Sequence, residues 1–356
     1  MQPFIYSALP SRVVFGVDAL ARAAEEVRAL GAGRAMVVCT PEQAELGGEL
    51  LVRLGEVGVS IFTGAAMHTP VEITEQALAL ARSEGVDCTV AIGGGSTIGL
   101  GKAIALRIDT PQIVIPTTYA GSEATPILGE TEHGRKVTQR SPRVLPEVIL
   151  YDVDLTLTLP VALSGTSGLN AIAHAAEALY AENANPIISL LAEDGVRALS
   201  GALPRIADDP LDRDARSDAL YGAWACGACL GAVGMALHHK LCHILGGTFD
   251  LPHAPTHTVV LPYALAYNAA AAPQAISRLA RAMETDDPVA ALRAIARRFG
   301  AAMSLEALGM PREGLRKAAD LAVETPYWNP RPVERDAILN LLEDAYSGRE
   351  PALVGR

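Results

Sequence analysis

The chain has 356 residues, of which 50% are hydrophobic and only 4% aromatic, so a sizeable core has to be packed mostly from small aliphatic side chains. This length suits about two domains. The formal net charge of −11 argues against nucleic acid as a partner and requires a locally basic pocket for any anionic substrate. Five scattered cysteines favour a reduced cytoplasmic protein, and we expect no export and no membrane partner, because neither a basic leader nor a membrane-length apolar run is present.

Short apolar runs alternate with amphipathic segments in the N-terminal part of the chain. The predicted strands are 34–40, 59–62, 88–92, 112–115 and 148–151. Helices are predicted between them, one ending at Leu54 and one at 73–83. Strands that alternate with helices indicate an α/β domain with a Rossmann-like, mostly parallel sheet.

The pattern changes at about residue 159. Alanine-rich segments with helical periodicity dominate at 167–182, 187–203, 216–247 and 276–300, and β-branched runs become scarce. We therefore predict an α/β domain at 1–158 and an all-helical domain at 159–356. We expect the functional site in the cleft between them, where small-molecule sites commonly lie.

A glycine-rich turn follows the predicted strand 88–92 and opens a predicted helix. It consists of Gly93, Gly94, Gly95, Ser96 and Thr97. Consecutive glycines let the backbone approach a pyrophosphate, and a helix N-terminus offers unpaired N–H groups and a partial positive charge. The alternative is a tight turn with ordinary capping, since the loop follows the third predicted strand rather than the first, as a standard dinucleotide fold would require.

A second polar turn, P-T-T-Y-A-G-S-E, follows the next predicted strand. Its hydroxyls at Thr117, Thr118 and Ser122 would suit the other side of a cofactor, although the turn is a weak signal by itself. We therefore include these three residues among the candidate cofactor contacts.

Five of the eight histidines fall between residues 238 and 257, and this clustering asks for a chemical reason. His239 and His243 lie four residues apart, as do Asn170 and His174, and this spacing puts each pair on one helix face. With His253, the two helices could surround one divalent metal. Asn170, however, stands where a carboxylate would be expected. Because three imidazoles and an amide supply no anion for a 2+ charge, we predict a site without metal.

The motifs G-G-G-S-x-x-x-x-x-K, P-T-T, S-E, L-P and H-x-x-x-H, in this order, resemble the iron-containing alcohol dehydrogenase superfamily. The resemblance implies a dehydroquinate synthase-like architecture, NAD(P) bound beside the substrate, and a homodimer. It also implies that the metal ligands of relatives correspond to Asn170, His174, His239 and His253. His243 corresponds to a histidine near the nicotinamide.

Several departures narrow the resemblance to one branch. Gly99 stands where the common pattern has aspartate, Asn170 replaces another aspartate, and P-T-T-Y-A-G-S-E is one residue short. Together with L-H-H-K-L-C-H and T-P-Y-W-N-P-R-P, these features are similar to the maleylacetate reductases. That branch implies NAD(P)H-dependent reduction of the C=C of maleylacetate, a dicarboxylate, and of its chlorinated analogues to 3-oxoadipate in the breakdown of aromatic compounds.

The choice of cofactor depends on the end of the first predicted strand. Many relatives carry an aspartate there, which can bind the adenosine ribose 2′-hydroxyl and repel a 2′-phosphate. Here the strand ends at Thr40, a candidate cofactor contact, and no acid follows until Glu42. We therefore predict NADH use with tolerance of NADPH.

The implied reaction suggests a role for the histidines. Hydride transfer to the alkene carbon β to the ketone leaves an enolate, whose oxygen needs hydrogen-bond donors. His243, with His174, His239 and His253 around it, can provide them without metal, and one of these residues could supply the proton to the other alkene carbon.

Other residues have alternative interpretations. Arg331 is a candidate carboxylate clamp or a solvated surface arginine. Lys102 could face the substrate or the cofactor phosphates. His238 points away from His239 on the predicted helix, so we expect it in packing or on the surface. We expect structural roles for three further histidines: His68, His133 and His257.

Three competing functions remain open from the sequence. A metal-dependent alcohol or polyol dehydrogenase could use the Asn170 carbonyl oxygen as a ligand. A lyase or synthase related to the dehydroquinate synthases would hold NAD tightly without net turnover of added NADH. A non-enzymatic nucleotide-binding module would not account for the histidines.

Overall fold

The computed structural model describes residues 4–132 and 135–353, which form two compact units. One unit is Leu9–Leu159. The other begins at Pro160 and also includes the described residues before Leu9. His133, for which we expected a structural role, lies outside the described residues.

A six-stranded sheet forms the centre of the Leu9–Leu159 unit, and all of its strand pairings are parallel. The strands of this sheet and of a separate hairpin are β1 Arg12–Gly16, β2 Ala35–Val38, β3 Gly58–Phe62, β4 Cys88–Gly93, β5 Gln112–Pro116, β6 Ile127–Glu132, β7 Arg135–Arg140 and β8 Val148–Asp152. The order across the sheet is β1-β8-β5-β4-β2-β3. β2, β4, β5 and β8 are buried along their whole length, as is typical of parallel strands covered on both faces. The predicted parallel α/β sheet is confirmed.

Four α-helices accompany this sheet: α1 Ala23–Ala29, α2 Ala44–Leu54, α3 Val71–Ser83 and α4 Gly95–Ile108. The sequence patterns missed β1 and the antiparallel hairpin of β6 and β7. The hairpin strands read I-L-G-E-T-E and R-K-V-T-Q-R, so charged residues interrupt the apolar run that would have marked them. Backbone pairing between the two strands, rather than a buried apolar face, defines this element.

The regular elements that the structure describes after Pro160 are all helices. They are α5 Val161–Ala178, α6 Pro186–Asp208, α7 Arg213–Ala232, α8 Leu237–Phe249, α9 His253–Asn268, α10 Pro273–Ala282, α11 Pro288–Arg298, α12 Gly314–Glu324 and α13 Arg335–Ser347, with one short 3-10 turn. Within the described ranges, no single helix is long and apolar enough to cross a membrane. α7 and α8 reach that length and composition only as a pair, which is bent by 95°.

Two long predicted helices are each divided in the structure. The segment 216–247 breaks between α7 and α8, where the Asn183 side chain accepts a hydrogen bond from the Gly234 N–H at 2.8 Å. The segment 276–300 breaks before α11, where the Asp287 side chain caps the new helix. α9 escaped prediction because Pro262 lies inside it and proline normally ends a helical pattern.

Candidate functional site

The glycine-rich turn joins β4 to α4 in the Leu9–Leu159 unit. Gly93 ends the strand, Gly94 is the N-cap, and no side chain caps the helix. Gly93 has a φ of 152°, and a Cβ there would lie 2.5 Å from Thr97 Oγ1 and 2.6 Å from Gln43 Oε1. The position therefore accepts only glycine, and the N-terminus of α4 presents bare backbone N–H groups.

Hydroxyl groups surround this helix N-terminus. β5 pairs with β4 so that Gly93 lies opposite Pro116, and the Thr117 N–H donates to the Gly93 carbonyl at 3.0 Å. Thr118 lies against Gly94, and Ser122 Oγ lies 4.0 Å from the place of a Gly95 Cβ. The structure thus brings together the residues of both polar turns that the sequence singled out.

Two of these hydroxyls fit an anion. Thr97 Oγ1 and Ser122 Oγ are buried, and neither has a hydrogen-bond partner among the described residues. Buried polar groups are normally hydrogen-bonded, and an exception points to a missing ligand or water. A pyrophosphate would satisfy such hydroxyls and the positive end of α4 together. Ser96 lies half-buried at the second position of α4.

The turn after β2 lies at the same edge of the sheet as the glycine-rich turn, because β2 runs parallel to β4 beside it. Thr40 precedes a 3-10 helix, Pro41–Gln43, without a capping hydrogen bond from its side chain, and Gln43 Nε2 donates to Thr117 Oγ1 at 3.0 Å. The Glu42 N–H and the Thr40 hydroxyl lower the pKa of the exposed Glu42 carboxyl. Glu42 therefore offers an ionised carboxylate beside Thr40 at neutral pH. Sequence reasoning missed Gln43, because only the pairing of β2 with β4 brings it to the glycine turn.

The position of Lys102 corrects the predictions that it faces the substrate or the cofactor phosphates. It is 1% exposed, and Nζ lies 2.6 Å from the Ser122 carbonyl, 2.7 Å from the Thr125 carbonyl and 3.0 Å from the Ile127 carbonyl. Burial lowers the pKa of Lys102 to about 7, against the opposing effect of Glu123. Its donors are committed to the loop between β5 and β6, so Lys102 holds this loop and is not directed at substrate or phosphates.

The surroundings of Gly99 explain why glycine stands where the family pattern has aspartate. A Cβ at this position would collide with Thr69 Oγ1. Thr69 and the preceding His68 both have positive φ values, 48° and 66°. Positive φ is rare for a β-branched residue, so this segment is held tightly against α4. An aspartate in place of Gly99 would therefore force the Thr69 side chain to move.

The second unit brings together the histidines that the sequence paired. His174 Nδ1 lies 2.8 Å from His239 Nε2, and Asn170 Nδ2 lies 3.5 Å from His174 Nε2. These three side chains are 2–5% exposed at the junction of α5 with α8. His243 and His253 are exposed, with the His243 ring 6.3 Å from that of His239. The cluster thus has a buried floor, formed by Asn170, His174 and His239, and two exposed imidazoles, those of His243 and His253.

Two more histidines belong to this cluster. His238 and His257 are fully buried, and His238 Nε2 lies 2.9 Å from His257 Nδ1. The His257 ring lies 4.4 Å from that of His253 and 5.1 Å from that of His239. Burial first, and neighbouring imidazoles second, lower the pKa of both residues well below the usual range. The surface position that we considered for His238 is therefore wrong, and the cluster is larger than predicted.

Glu177 is the residue of the cluster that the sequence analysis missed. This fully buried side chain accepts hydrogen bonds from the Ala236 N–H at 2.9 Å and the His238 N–H at 2.7 Å, and its Oε2 lies 2.7 Å from His239 Nδ1. It therefore caps α8 and orients His239. The expectation that the cluster holds no anion is corrected, although Glu177 stands behind His239. Its signal was the H-A-A-E spacing, which puts it one turn after His174.

Arg331 is exposed but held in place. Its guanidinium lies 4.0 Å from the centre of the Tyr267 ring, and Nη1 donates to the Tyr267 carbonyl at 3.2 Å. Arg331 lines a pocket of about 280 Å³ with Tyr327 and Asn329. Asn329 Oδ1 also accepts from the Leu237 N–H at the start of α8, at 3.4 Å. This placement is compatible with a carboxylate clamp, which stays a prediction.

Comparison with known proteins agrees with these features. The family described as iron-containing alcohol dehydrogenase matches residues 10–153, and the C-terminal region of the Fe-containing alcohol dehydrogenase family matches residues 164–346. The chain belongs to the iron-containing alcohol dehydrogenase family. The resemblance stated from the motifs is confirmed.

Similar relatives within this family are maleylacetate reductases. The protein from Rhizobium sp. (strain MTP-10005) is 56% identical over 351 residues, which cover 99% of this chain and 100% of the relative. That from Pseudomonas knackmussii is 51% identical and covers 98% of this chain and 99% of the relative. The crystal structure of maleylacetate reductase from Agrobacterium tumefaciens has a TM-score of 0.95 at 56% identity, covering 99% of this chain and 100% of its own.

The family name implies iron, so we compared the cluster with the needs of a metal. Two nitrogens bound to one tetrahedral metal at about 2.0–2.1 Å lie roughly 3.3 Å apart. His174 Nδ1 and His239 Nε2 are instead 2.8 Å apart, a hydrogen-bonding distance. Asn170 contributes a neutral amide in place of a carboxylate. As arranged, His174 Nδ1 and His239 Nε2 do not fit one metal ion together, and Asn170 adds no anionic ligand.

Proposed function

We propose that the protein is a maleylacetate reductase, which reduces the C=C of maleylacetate and its chlorinated analogues to 3-oxoadipate with NAD(P)H. Near full-length identity of 56% to a maleylacetate reductase supports this proposal most strongly. The histidine cluster with Asn170 in place of an acidic ligand agrees with it.

NADH would bind with its pyrophosphate at the N-terminus of α4. The bare N–H groups of Gly94 and Gly95, and the buried hydroxyls of Thr97 and Ser122, support this placement. Glu42 could accept a hydrogen bond from the adenosine ribose. Because Glu42 is exposed and follows the strand by several residues, its repulsion of a 2′-phosphate would be weak. We therefore propose NADH use with tolerance of NADPH.

A nicotinamide bound at this site would supply the hydride for the alkene carbon β to the ketone. The resulting enolate oxygen requires N–H donors, which are most effective when they are held in place before the reaction. His243 and His253 are the exposed imidazoles of the cluster, and we propose them as the donors to this oxygen. One of them would deliver the proton to the neighbouring carbon, which balances the addition of one hydride and one proton.

Recognition of the dianion would need cationic groups. Arg331 offers a guanidinium that is already oriented by Tyr267, so little side-chain entropy would be lost when a carboxylate binds. We propose Arg331 as the clamp for one substrate carboxylate. The homodimer and the cytoplasmic location stay predictions.

We propose that the reaction proceeds without metal, because Asn170 stands in place of an acidic ligand and His174 Nδ1 lies at hydrogen-bonding distance from His239 Nε2. This geometry disfavours the metal-dependent alcohol dehydrogenase as the alternative. The deciding experiment follows NADH oxidation with freshly generated maleylacetate and identifies the product by mass spectrometry. We expect stoichiometric 3-oxoadipate. Oxidation of alcohols by NAD⁺, without turnover of maleylacetate, would refute the proposal, and absence of any net NADH turnover would favour a lyase or synthase.

A further inference from the structure

The hydrogen positions in the histidine cluster follow from Glu177. Its Oε1 accepts the His238 backbone N–H and its Oε2 accepts the Ala236 backbone N–H. As a carboxylate, Glu177 has only acceptor oxygens. His239 Nδ1, 2.7 Å from Oε2, therefore carries a hydrogen and donates it to Glu177.

This hydrogen determines the rest of the chain of contacts. In a neutral imidazole one nitrogen donates and the other accepts, so His239 Nε2 is an acceptor. His174 Nδ1, at 2.8 Å, must then donate to it, which leaves His174 Nε2 as an acceptor. The side-chain amide of Asn170 lies 3.5 Å from that nitrogen, and Nδ2 supplies the donor that it needs.

We propose that Asn170, His174, His239 and Glu177 form a directed hydrogen-bond chain, in which every donor points toward Glu177 and both histidines are fixed as Nδ1–H tautomers. Glu177 is then a positioning residue that acts through His239. The chain itself follows from geometry, and only its effect on turnover rests on the proposed function.

The directed chain accounts for asparagine at position 170. A carboxylate there would place an acceptor against the acceptor nitrogen of His174, and only an added hydrogen or a bound cation would relieve the repulsion. Asparagine instead supplies an N–H group. The amide thus completes the chain without adding a second negative charge to that of Glu177, beyond merely removing a metal ligand.

The hydrogen-bond chain also gives the buried and the exposed histidines of the cluster different roles. His174 and His239 commit their N–H groups to His239 and Glu177 respectively, so they hold the floor of the site. The donors for a substrate oxygen are then His243 and His253, the two exposed members.

Nitrogen NMR of protein labelled with ¹⁵N-histidine tests this arrangement without substrate. We expect protonated Nδ1 and unprotonated Nε2 for both His174 and His239, with the signals assigned by His174→Gln and His239→Gln. An Nε2–H tautomer at either histidine in the folded protein would overturn the proposal.

Glu177→Gln gives a second test. The amide oxygen would take the place of Oε2, where it still accepts from the Ala236 N–H and from His239 Nδ1, so both histidines should keep their Nδ1–H tautomers. The amide nitrogen would face the His238 N–H, so the hold on the start of α8 is weakened. We expect kcat to fall about 10- to 100-fold with KM for maleylacetate changed less than about threefold. Glu182→Gln, an exposed neighbour on the same stretch of chain, should change neither the spectrum nor the rates. An Nε2–H tautomer at either histidine in folded Glu177→Gln protein would refute the directed chain.

Asn170→Asp keeps the proposal testable if Glu177→Gln does not fold. In the metal-free variant His174 Nε2 should acquire a hydrogen, and Zn²⁺ affinity measured by calorimetry should rise at least about tenfold. An unprotonated His174 Nε2 together with unchanged Zn²⁺ affinity would contradict the chain. Inactive wild-type enzyme with the predicted tautomers would instead refute the proposed function alone.

Discussion

Replacing Gly95 by alanine adds one methyl group at the first position of α4, where we place the cofactor pyrophosphate. The structure has room for this methyl group, because its only neighbour within 4 Å is Ser122 Oγ, at 4.0 Å. The variant should therefore fold, and alanine in a helical position should leave stability unchanged or slightly higher. Any loss of cofactor affinity would come from the methyl group standing between the phosphate and the helix N-terminus.

The expected loss follows from the contacts that would be broken. A hydrogen bond from a backbone N–H to a charged oxygen is worth about 1.5–3 kcal/mol. Loss of one such contact corresponds to a roughly 10- to 150-fold rise in KM for NADH. kcat at saturating NADH should change much less, since the reacting groups lie elsewhere.

Steady-state kinetics with varied NADH, alongside thermal melts, measures this effect. Gly48→Ala is the matched control, because Gly48 lies within α2 and a Cβ there would also have open space. It should leave KM unchanged. A normal KM for NADH in folded Gly95→Ala protein would remove this loop from the cofactor site.

Three other predictions concern the cluster, cofactor choice and the buried lysine. His243→Ala should lower kcat about 10²–10³-fold with a smaller effect on KM, whereas exposed Thr248→Ala on the same helix should cost little; equal effects would refute the donor role. The preference for NADH over NADPH, measured as a ratio of kcat/KM, should stay below about a thousandfold and fall further in Glu42→Gln; an unaffected ratio in that variant would exclude Glu42. Lys102→Met should lower the free energy of unfolding by about 2–5 kcal/mol in urea titrations, because it strands the carbonyl oxygens that Nζ contacts; a stable variant with an altered KM would instead restore a ligand-binding role for Lys102.

The sequence predicted the parallel sheet and the histidine pairs because both depend on local periodicity. The strands of the sheet core are short, continuous apolar runs, and the i, i+4 spacing places Asn170 with His174 on one face of α5. The glycine turn was recognised from its consecutive glycines. The structure explains one of them, because Gly93 has no room for a side chain. The strands, the histidine pairs and the glycine turn can therefore be predicted from residues close together in the sequence.

The remaining features depend on contacts distant in the sequence. Glu177 reaches its partners only because α8 begins against α5, 59 residues later in the chain. Lys102 matched a cofactor-site motif, but burial and the carbonyls after β5 decide its role. His238 lies on a different face of α8 from His239. It still joins the cluster, because His257 of α9 packs against that face. Spacing within one helix cannot predict such partners.

The central claim is that this histidine cluster supports maleylacetate reduction without a bound metal. The most direct test treats the protein with EDTA, removes the chelator by gel filtration, and measures metal content and NADH-dependent maleylacetate reduction on the same sample. We predict less than about one tenth of an equivalent of iron or zinc, with most of the turnover retained. Loss of turnover on chelation, restored by one equivalent of either metal, would contradict the account.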